Sequence, residues 1–471
     1  VANDKAVLLN DGEYKLTSSI SITASVAIFG QGIGVSKLLC ANCNAFNISA
    51  GVTFVTLIGF TIANANRYTI TPNTNTAISI NGTTASQCYW HTYQNLFIDG
   101  FEVGFFAGGV SSSVWNNVTT VYTHQSVNFS AQCLNNSIAQ CRFGESNSGA
   151  TVPAAGSFGI KVGDGLINPE GLFITDTLIF GVHRAVWIRA AINVYIQNNI
   201  FDMCNEFGVL AESTASAGCI NNQISGNYIA IVNTAGDTGI YLANSYAPTD
   251  SQNRGTIVRD NEILAYPSST VNYGILVSGT SETRNLISGN RVQNTTVYDC
   301  SVQQGSGHRV SDNLWRSAGG FYATVPVSYI NNIGIVLSTA YPSPIGTFAP
   351  TAIGTTSAGT GTYSVQLGSY KIIDKICYFN LRLIWSAHTG TGDIKISNLP
   401  VACKNLTNYA PAVTVNVENM TFPAGATAVI GLVNTAATTI ELRGAGSTLA
   451  PTPVALDAAA NVNISGFYEI D

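Results

Sequence analysis

Between residues 159 and 277 the chain repeats a short phrase: a small residue, then apolar residues one and three places later. With the small residue as position zero, the set is Gly159 with Ile160 and Val162, Ala185 with Val186 and Ile188, and Gly208 with Val209 and Ala211. Gly239 with Ile240 and Leu242, and Gly274 with Ile275 and Val277, complete it. Apolar positions two apart mark a strand with one buried face. Successive zeros lie 26, 23, 31 and 35 residues apart. A unit of about 22–25 residues carrying loop insertions predicts a β-solenoid. The register extends upstream through Ala45, Ala77, Gly104 and Ser126, each followed by apolar residues at the same offsets. A second recurrence runs Ile196 to Asn199, Ile224 to Asn227, Val258 to Asn261, Ile287 to Asn290 and Val310 to Asn313. Stacked coil on coil, these predict an asparagine ladder with a structural role.

The repeat fades after Trp315, so the solenoid is expected to fill residues 1–325. Residues 326–345 then form a connector, and residues 346–471 carry longer alternating strands separated by Gly, Ser and Thr turns. That texture predicts an antiparallel β-sandwich, either carbohydrate-binding or trimer-forming. The expected fold is all-β: a right-handed parallel β-helix followed by the sandwich.

Composition narrows the partners. Only 10% of the 471 residues are charged, and the net charge of −6 argues against a nucleic-acid partner. No apolar run reaches the length of a membrane span, so no membrane insertion is expected. The opening residues resemble mid-strand text rather than a signal peptide, which predicts a missing N-terminal part. Ten cysteines without a framework predict reduced thiols and assembly in a cytoplasm. The lone Cys40-x-x-Cys43 lacks a second pair, and no dense Asp cluster suits calcium, so neither metal nor cofactor is expected.

Three phrases go further: SNSGATVPAAGSFGIKVGDG at residues 146–165, PEGLFITDTLIFGVHRAVWI at 169–188, and GTFAPT at 346–351, followed by the GTGTYSVQLGSYKIIDKICYFNLRLIWSAHTGTGDIKISNLP run. Together with the helix-then-sandwich order, they resemble bacteriophage tailspike depolymerases of the pectate-lyase-like β-helix type. The resemblance implies a homotrimer on the virion tail, attached through an N-terminal part, and a capsular or O-antigen polysaccharide substrate at the bacterial surface. It carries over no catalytic residue.

Candidate chemistry comes from the outward positions, expected at even offsets from zero. Position minus two reads His183, Glu206 and Asp237 on successive coils; plus two gives Lys161, Trp187 and Tyr241; plus four gives Arg189 and Glu212. Paired carboxyls about 5–9.5 Å apart do the acid and base work of glycoside hydrolysis. Glu206 and Asp237 are the expected pair, their repulsion raising one pKa, with His183 as tuner of Glu206. Arg189 is expected to hold an acidic sugar. Trp187 and Tyr241 offer aromatic platforms, with Lys161 and Glu212 beside them. Glu145, Asp164 and Glu170, in Gly-rich insertions, form a second line. The same ladder suits a lyase with His183 as base and Arg189 neutralising a uronate. It also suits a trimeric fibre that binds glycan without cutting, or a merely wetted surface. A register error of one residue would exchange inside for outside.

Overall fold

The computed structural model describes residues 5–65, 74–144, 155–166, 169–214, 217–232, 237–243, 255–266, 271–280, 282–317, 319–334, 345–373, 376–447 and 449–470. The chain divides into two compact units, Val1–Ala340 and Tyr341–Asp471.

The first unit is a right-handed parallel β-helix, the hand that crossovers between parallel strands take. A representative coil contributes Phe173–Thr175, Leu178–Phe180 and Arg184–Arg189; the next contributes Tyr195–Gln197, Ile200–Cys204 and Phe207–Glu212. Like strands lie directly over one another, with Ile174 on Ile196, Ile179 on Phe201 and Ile188 on Ala211. The long third strands stack into a 12-stranded parallel sheet from Ile20–Ile22 to Phe321–Ala323. Plus-one and plus-three side chains point inward as the alternation requires: Ile160, Val162, Val186, Ile188, Val209, Ile240, Leu242, Ile275 and Val277 are wholly buried. They join one continuous core running from Ile22 to Val327.

Parallel pairing continues to Val327–Ile330, beyond the point where the sequence pattern fades. In a late coil position zero is Asp299 rather than Gly or Ala, a buried carboxylate that accepts from Thr295 Oγ1 at 2.7 Å and Ser317 N at 2.8 Å. Fixed donors make an acid tolerable where a small residue would otherwise sit.

The corner between the first and second strands explains the asparagines. Its first residue is left-handed: Asn198 (φ 57), Gly226 (67), Asp260 (55), Gly289 (67), Asp312 (59) and Asn331 (52). Asn, Asp and Gly tolerate that conformation best. The next residue is the ladder asparagine, turned inward and 1% exposed at Asn199, Asn227, Asn261, Asn290 and Asn313. Each amide nitrogen donates to the coil before and the coil after. Asn261 Nδ2 reaches Ile224 O at 3.0 Å and Asn290 Oδ1 at 2.9 Å, while Asn261 Oδ1 accepts from Asn227 N and Nδ2 at 3.0 and 2.9 Å. The ladder also takes in Asn332, which accepts from Asn313 N and Nδ2 at 3.0 and 2.8 Å.

The strands of the second unit pair antiparallel. Gly361–Ile373, Ile376–His388, Ala460–Glu469 and Ala412–Glu418 lie side by side, and the sheet continues through Ala428–Val433, Ile440–Gly446, Ile394–Ser397 and Thr351–Gly354. Ala412–Glu418 changes sides along its length: Ala412 and Val413 pair with Leu432 and Gly431, whereas Thr414 to Glu418 pair with Ser465 to Asn461. The two layers of the sandwich are thus joined at that strand, around a core that includes Cys377, Leu383, Ile440, Val462 and Tyr468. Trp385 is 2% exposed within this core.

All ten cysteines are free, and nine are buried. Burial pushes the Cys133, Cys141 and Cys219 thiols up to about 12, so they stay protonated and unreactive.

Candidate functional site

The outer face of the 12-stranded sheet gathers charge in a chain that has little. His183 Nδ1 lies 2.8 Å from Glu206 Oε2. Arg184 grips the same carboxylate with Nε at 2.5 Å and a terminal nitrogen at 3.2 Å. The Arg184 guanidinium lies over the Trp187 ring, 4.5 Å from its centroid. Trp187 Nε1 donates to Glu212 Oε1 at 2.9 Å, and Arg189 Nε stands 3.5 Å from the same oxygen. Lys161 Nζ completes the set, 4.9 Å from the Trp187 centroid. His183, Glu206, Arg184, Trp187, Glu212, Arg189 and Lys161 therefore form one connected network, all half-buried.

Arg184 was not among the outward positions expected from the sequence, and the reason is steric. At position zero the chain also faces inward: a Cβ on Gly159 would lie 2.5 Å from Ile179 Cγ2, and one on Gly208 would lie 2.3 Å from Ile229 Cγ2. Two consecutive inward residues break the strict alternation and turn position minus one outward. That column, in register, is Phe158, Arg184, Phe207, Thr238, Tyr273 and Tyr298. The visible signal was the recurring aromatic or Arg before the small residue. Rings of this column pack on neighbouring coils, Phe207 with Tyr241 at 5.6 Å and Tyr298 with Tyr322 at 4.6 Å.

The other expected residues fall variously. Asp237, expected to stand outward beside Glu206, is only 4% exposed, and its carbonyl accepts the amides of Asn272 and Tyr273. It is nonetheless on the adjoining coil, where Thr238 N donates to Glu206 O at 3.1 Å. Tyr241 bonds Ser278 through its hydroxyl at 2.8 Å. Asp164 caps its own loop, accepting from Leu166 N at 2.9 Å and Ala131 N at 3.3 Å. The flanking Gly165 (φ 87) is required where it sits: a Cβ there would lie 2.5 Å from Thr214 Cγ2 and 3.2 Å from Arg189 Nε. Glu170 is exposed and accepts from Asn193 Nδ2 at 3.2 Å. Glu145 lies outside the described residues. Trp187 is walled by cations, so its ring is not the open platform the sequence suggested. Among the described residues no three His, Cys, Asp or Glu are placed to hold a metal ion.

Electrostatics also departs from expectation. Burial acts to raise the Glu206 carboxyl, but hydrogen bonds from His183 and Arg184, with their charges, outweigh it and hold the group at about 2. Its carboxylate is therefore charged at neutral pH. Lys161 is lowered by burial first, then by the neighbouring Arg189 and Arg184 charges, against the pull of Asp164 and Glu212. A depressed carboxyl stabilises the fold fully above its ordinary value of 4.5 and loses that contribution as pH falls toward 2. Melting temperatures measured across this acid range should fall more steeply for the wild type than for Glu206→Gln. Parallel curves would show that the ion pairs do not hold in solution.

No protein-family model and no curated protein matches the chain. Among solved structures it is similar to the Dettilon tailspike protein gp208, with 14% identity, TM-score 0.53, and coverage of 98% of this chain and 88% of that one. It is also similar to the tailspike protein of E. coli bacteriophage HK620, solved with a pentasaccharide, with 10% identity, TM-score 0.53, and coverage of 98% and 87%. A thermostable GH87 α-1,3-glucanase from Streptomyces thermodiastaticus matches with 13% identity and TM-score 0.52, over 71% of this chain and 64% of the other. At these identities the likeness is one of fold: phage tailspikes and a glycoside hydrolase share this β-helix.

Proposed function

We propose that the protein is a phage tailspike depolymerase that binds and cuts a bacterial surface polysaccharide, capsule or O-antigen, by glycoside hydrolysis. It would act at the cell surface as a homotrimer on the virion tail, without a cofactor. The observation that carries this reading is the connected network on the sheet's outer face, where carboxylates, cations and aromatic rings meet in a chain with only 10% charged residues. Glu206, fixed by His183 and Arg184 and charged at neutral pH, suits the base or nucleophile. Asp237, on the next coil, is assigned the donation of a proton to the leaving oxygen. Water then supplies the hydroxyl and proton that complete the two ends. Purified protein on lawns of encapsulated strains, followed by mass analysis of the digest, tests this. Water-added oligosaccharides support it; no new reducing ends from any host polysaccharide would leave a binding fibre.

The three cations around Trp187 favour an acidic polymer, and with it a lyase as the second reading, in which a cation neutralises a uronate. Products lighter by one water, absorbing as unsaturated sugars, would establish that reaction. Arg184 and Arg189 already face Glu206 and Glu212, whereas Lys161 forms no ion pair among the described residues. Acid recognition therefore falls on Lys161 rather than on Arg189. Lys161→Met is expected to raise KM for an anionic polymer about tenfold, the loss of one charge-assisted hydrogen bond. Lys161→Arg should restore it, and the carboxyl-reduced polymer should not discriminate between variants. Equal KM values for wild type and Lys161→Met would remove Lys161 from the site.

A further inference from the structure

We propose that the C-terminal unit carries its own oligosaccharide-binding face, formed by two cross-strand rows of polar side chains. Ile376–His388, Ala460–Glu469 and Ala412–Glu418 are adjacent antiparallel strands that turn Phe379, Leu381, Val462, Ile464 and Val413 into the core. By the two-residue period the opposite face carries one row of Asn380, Ser465 and Thr414, and a second of Arg382, Asn463 and Asn416. A depression of about 380 Å³ lies over both rows. Beside it, Tyr378 and Phe467 are 42% and 59% exposed, with ring centroids 5.7 Å apart.

Asparagine is disfavoured in strands, where β-branched and aromatic residues fit the pleated surface. Three of them on neighbouring strands need a return. The fold does not provide one. Among the described residues the side chains of Asn380, Asn416, Asn463 and Arg382 make no hydrogen bond or ion pair with another protein group. Asn461, one row further along, contrasts with them: its amide donates to Glu418 Oε2 at 2.8 Å. A free amide presents a donor and an acceptor side by side, which matches vicinal hydroxyls of a sugar. The guanidinium adds a fork for hydroxyls or a uronate carboxylate. The exposed aromatic pair offers an apolar surface to the C–H face of a ring. Strands about 4.8 Å apart repeat these groups at nearly the spacing of successive pyranoses.

The test uses the full chain, printed against an array of bacterial capsular and O-antigen oligosaccharides. Glu206→Gln serves as parent so that cleavage does not erase the signal. Adding Asn416→Ala and Asn463→Ala is expected to lower retention about tenfold, the loss of one to two hydrogen bonds to ligand. Melting temperature and elution volume should stay unchanged, and Asn416→Gln should recover part of the binding. A double variant that retains every glycan as tightly as the parent, or a parent that retains no glycan, overturns the proposal. A changed elution volume overturns it too, by assigning the face to contacts between copies. The face is independent of the cleavage reading: if Glu206→Gln still cuts polymer, that reading fails while wild-type retention on uncut array glycans still judges this one.

Discussion

Glu206→Gln is expected to lower depolymerisation by about a hundredfold to ten-thousandfold in kcat, the range for removing one acid–base group. The substitution preserves size but removes the charge that His183 and Arg184 hold at 2.8 and 2.5 Å. Asp237→Asn should cause a loss of similar order, and the double variant little more, because groups acting as a unit are strongly non-additive. Binding of uncut glycan should persist in both. Arg184→Lys is the informative companion, since an ammonium keeps charge but loses the two-pronged grip. Arg184 acts through Glu206, so its loss should shift the acid limb of the pH–rate profile upward as the carboxyl returns toward its ordinary value. Wild-type turnover in Glu206→Gln would move the chemistry elsewhere on the helix.

Asn261→Ala should destabilise the β-helix by about 3–5 kcal/mol, the scale of breaking a buried hydrogen-bond network. The amide it removes donates to Ile224 O and Asn290 Oδ1 and accepts from Asn227 N and Nδ2. Its loss removes a partner from groups on both neighbouring coils in a region closed to water. Asn116, half-buried with a single 3.5 Å contact to Gln140, is the control and should change stability by less than about 1 kcal/mol. Urea-unfolding rates compare the two variants even where unfolding is irreversible. Equal rates would mean that the ladder follows from the coil rather than holding it.

The ladder and the core were legible because both depend on residue type at a fixed period. An inward Val186 or Ile240 needs only apolarity every second residue, and a corner Asn needs only the left-handed residue before it. Tailspike neighbours agree with the resemblance read from local phrases. The site was less legible. His183, Glu206, Trp187, Arg189, Glu212 and Lys161 were placed on one face, and the structure joins them. Arg184 was missed, and Asp237 is 4% exposed rather than standing outward.

What the sequence determined by itself is therefore the repeat: which residues are buried, how coils stack, and that antiparallel strands follow the helix. These follow from periodicity, which chain geometry enforces at every coil. Only the tertiary structure decided which polar groups meet and which state they hold. Ile179 beneath Gly159 shifts the outward parity by one residue, and a guanidinium from one coil sets the charge of a carboxylate on the next. Both effects are contacts between segments 20 or more residues apart in sequence, at distances no local pattern encodes.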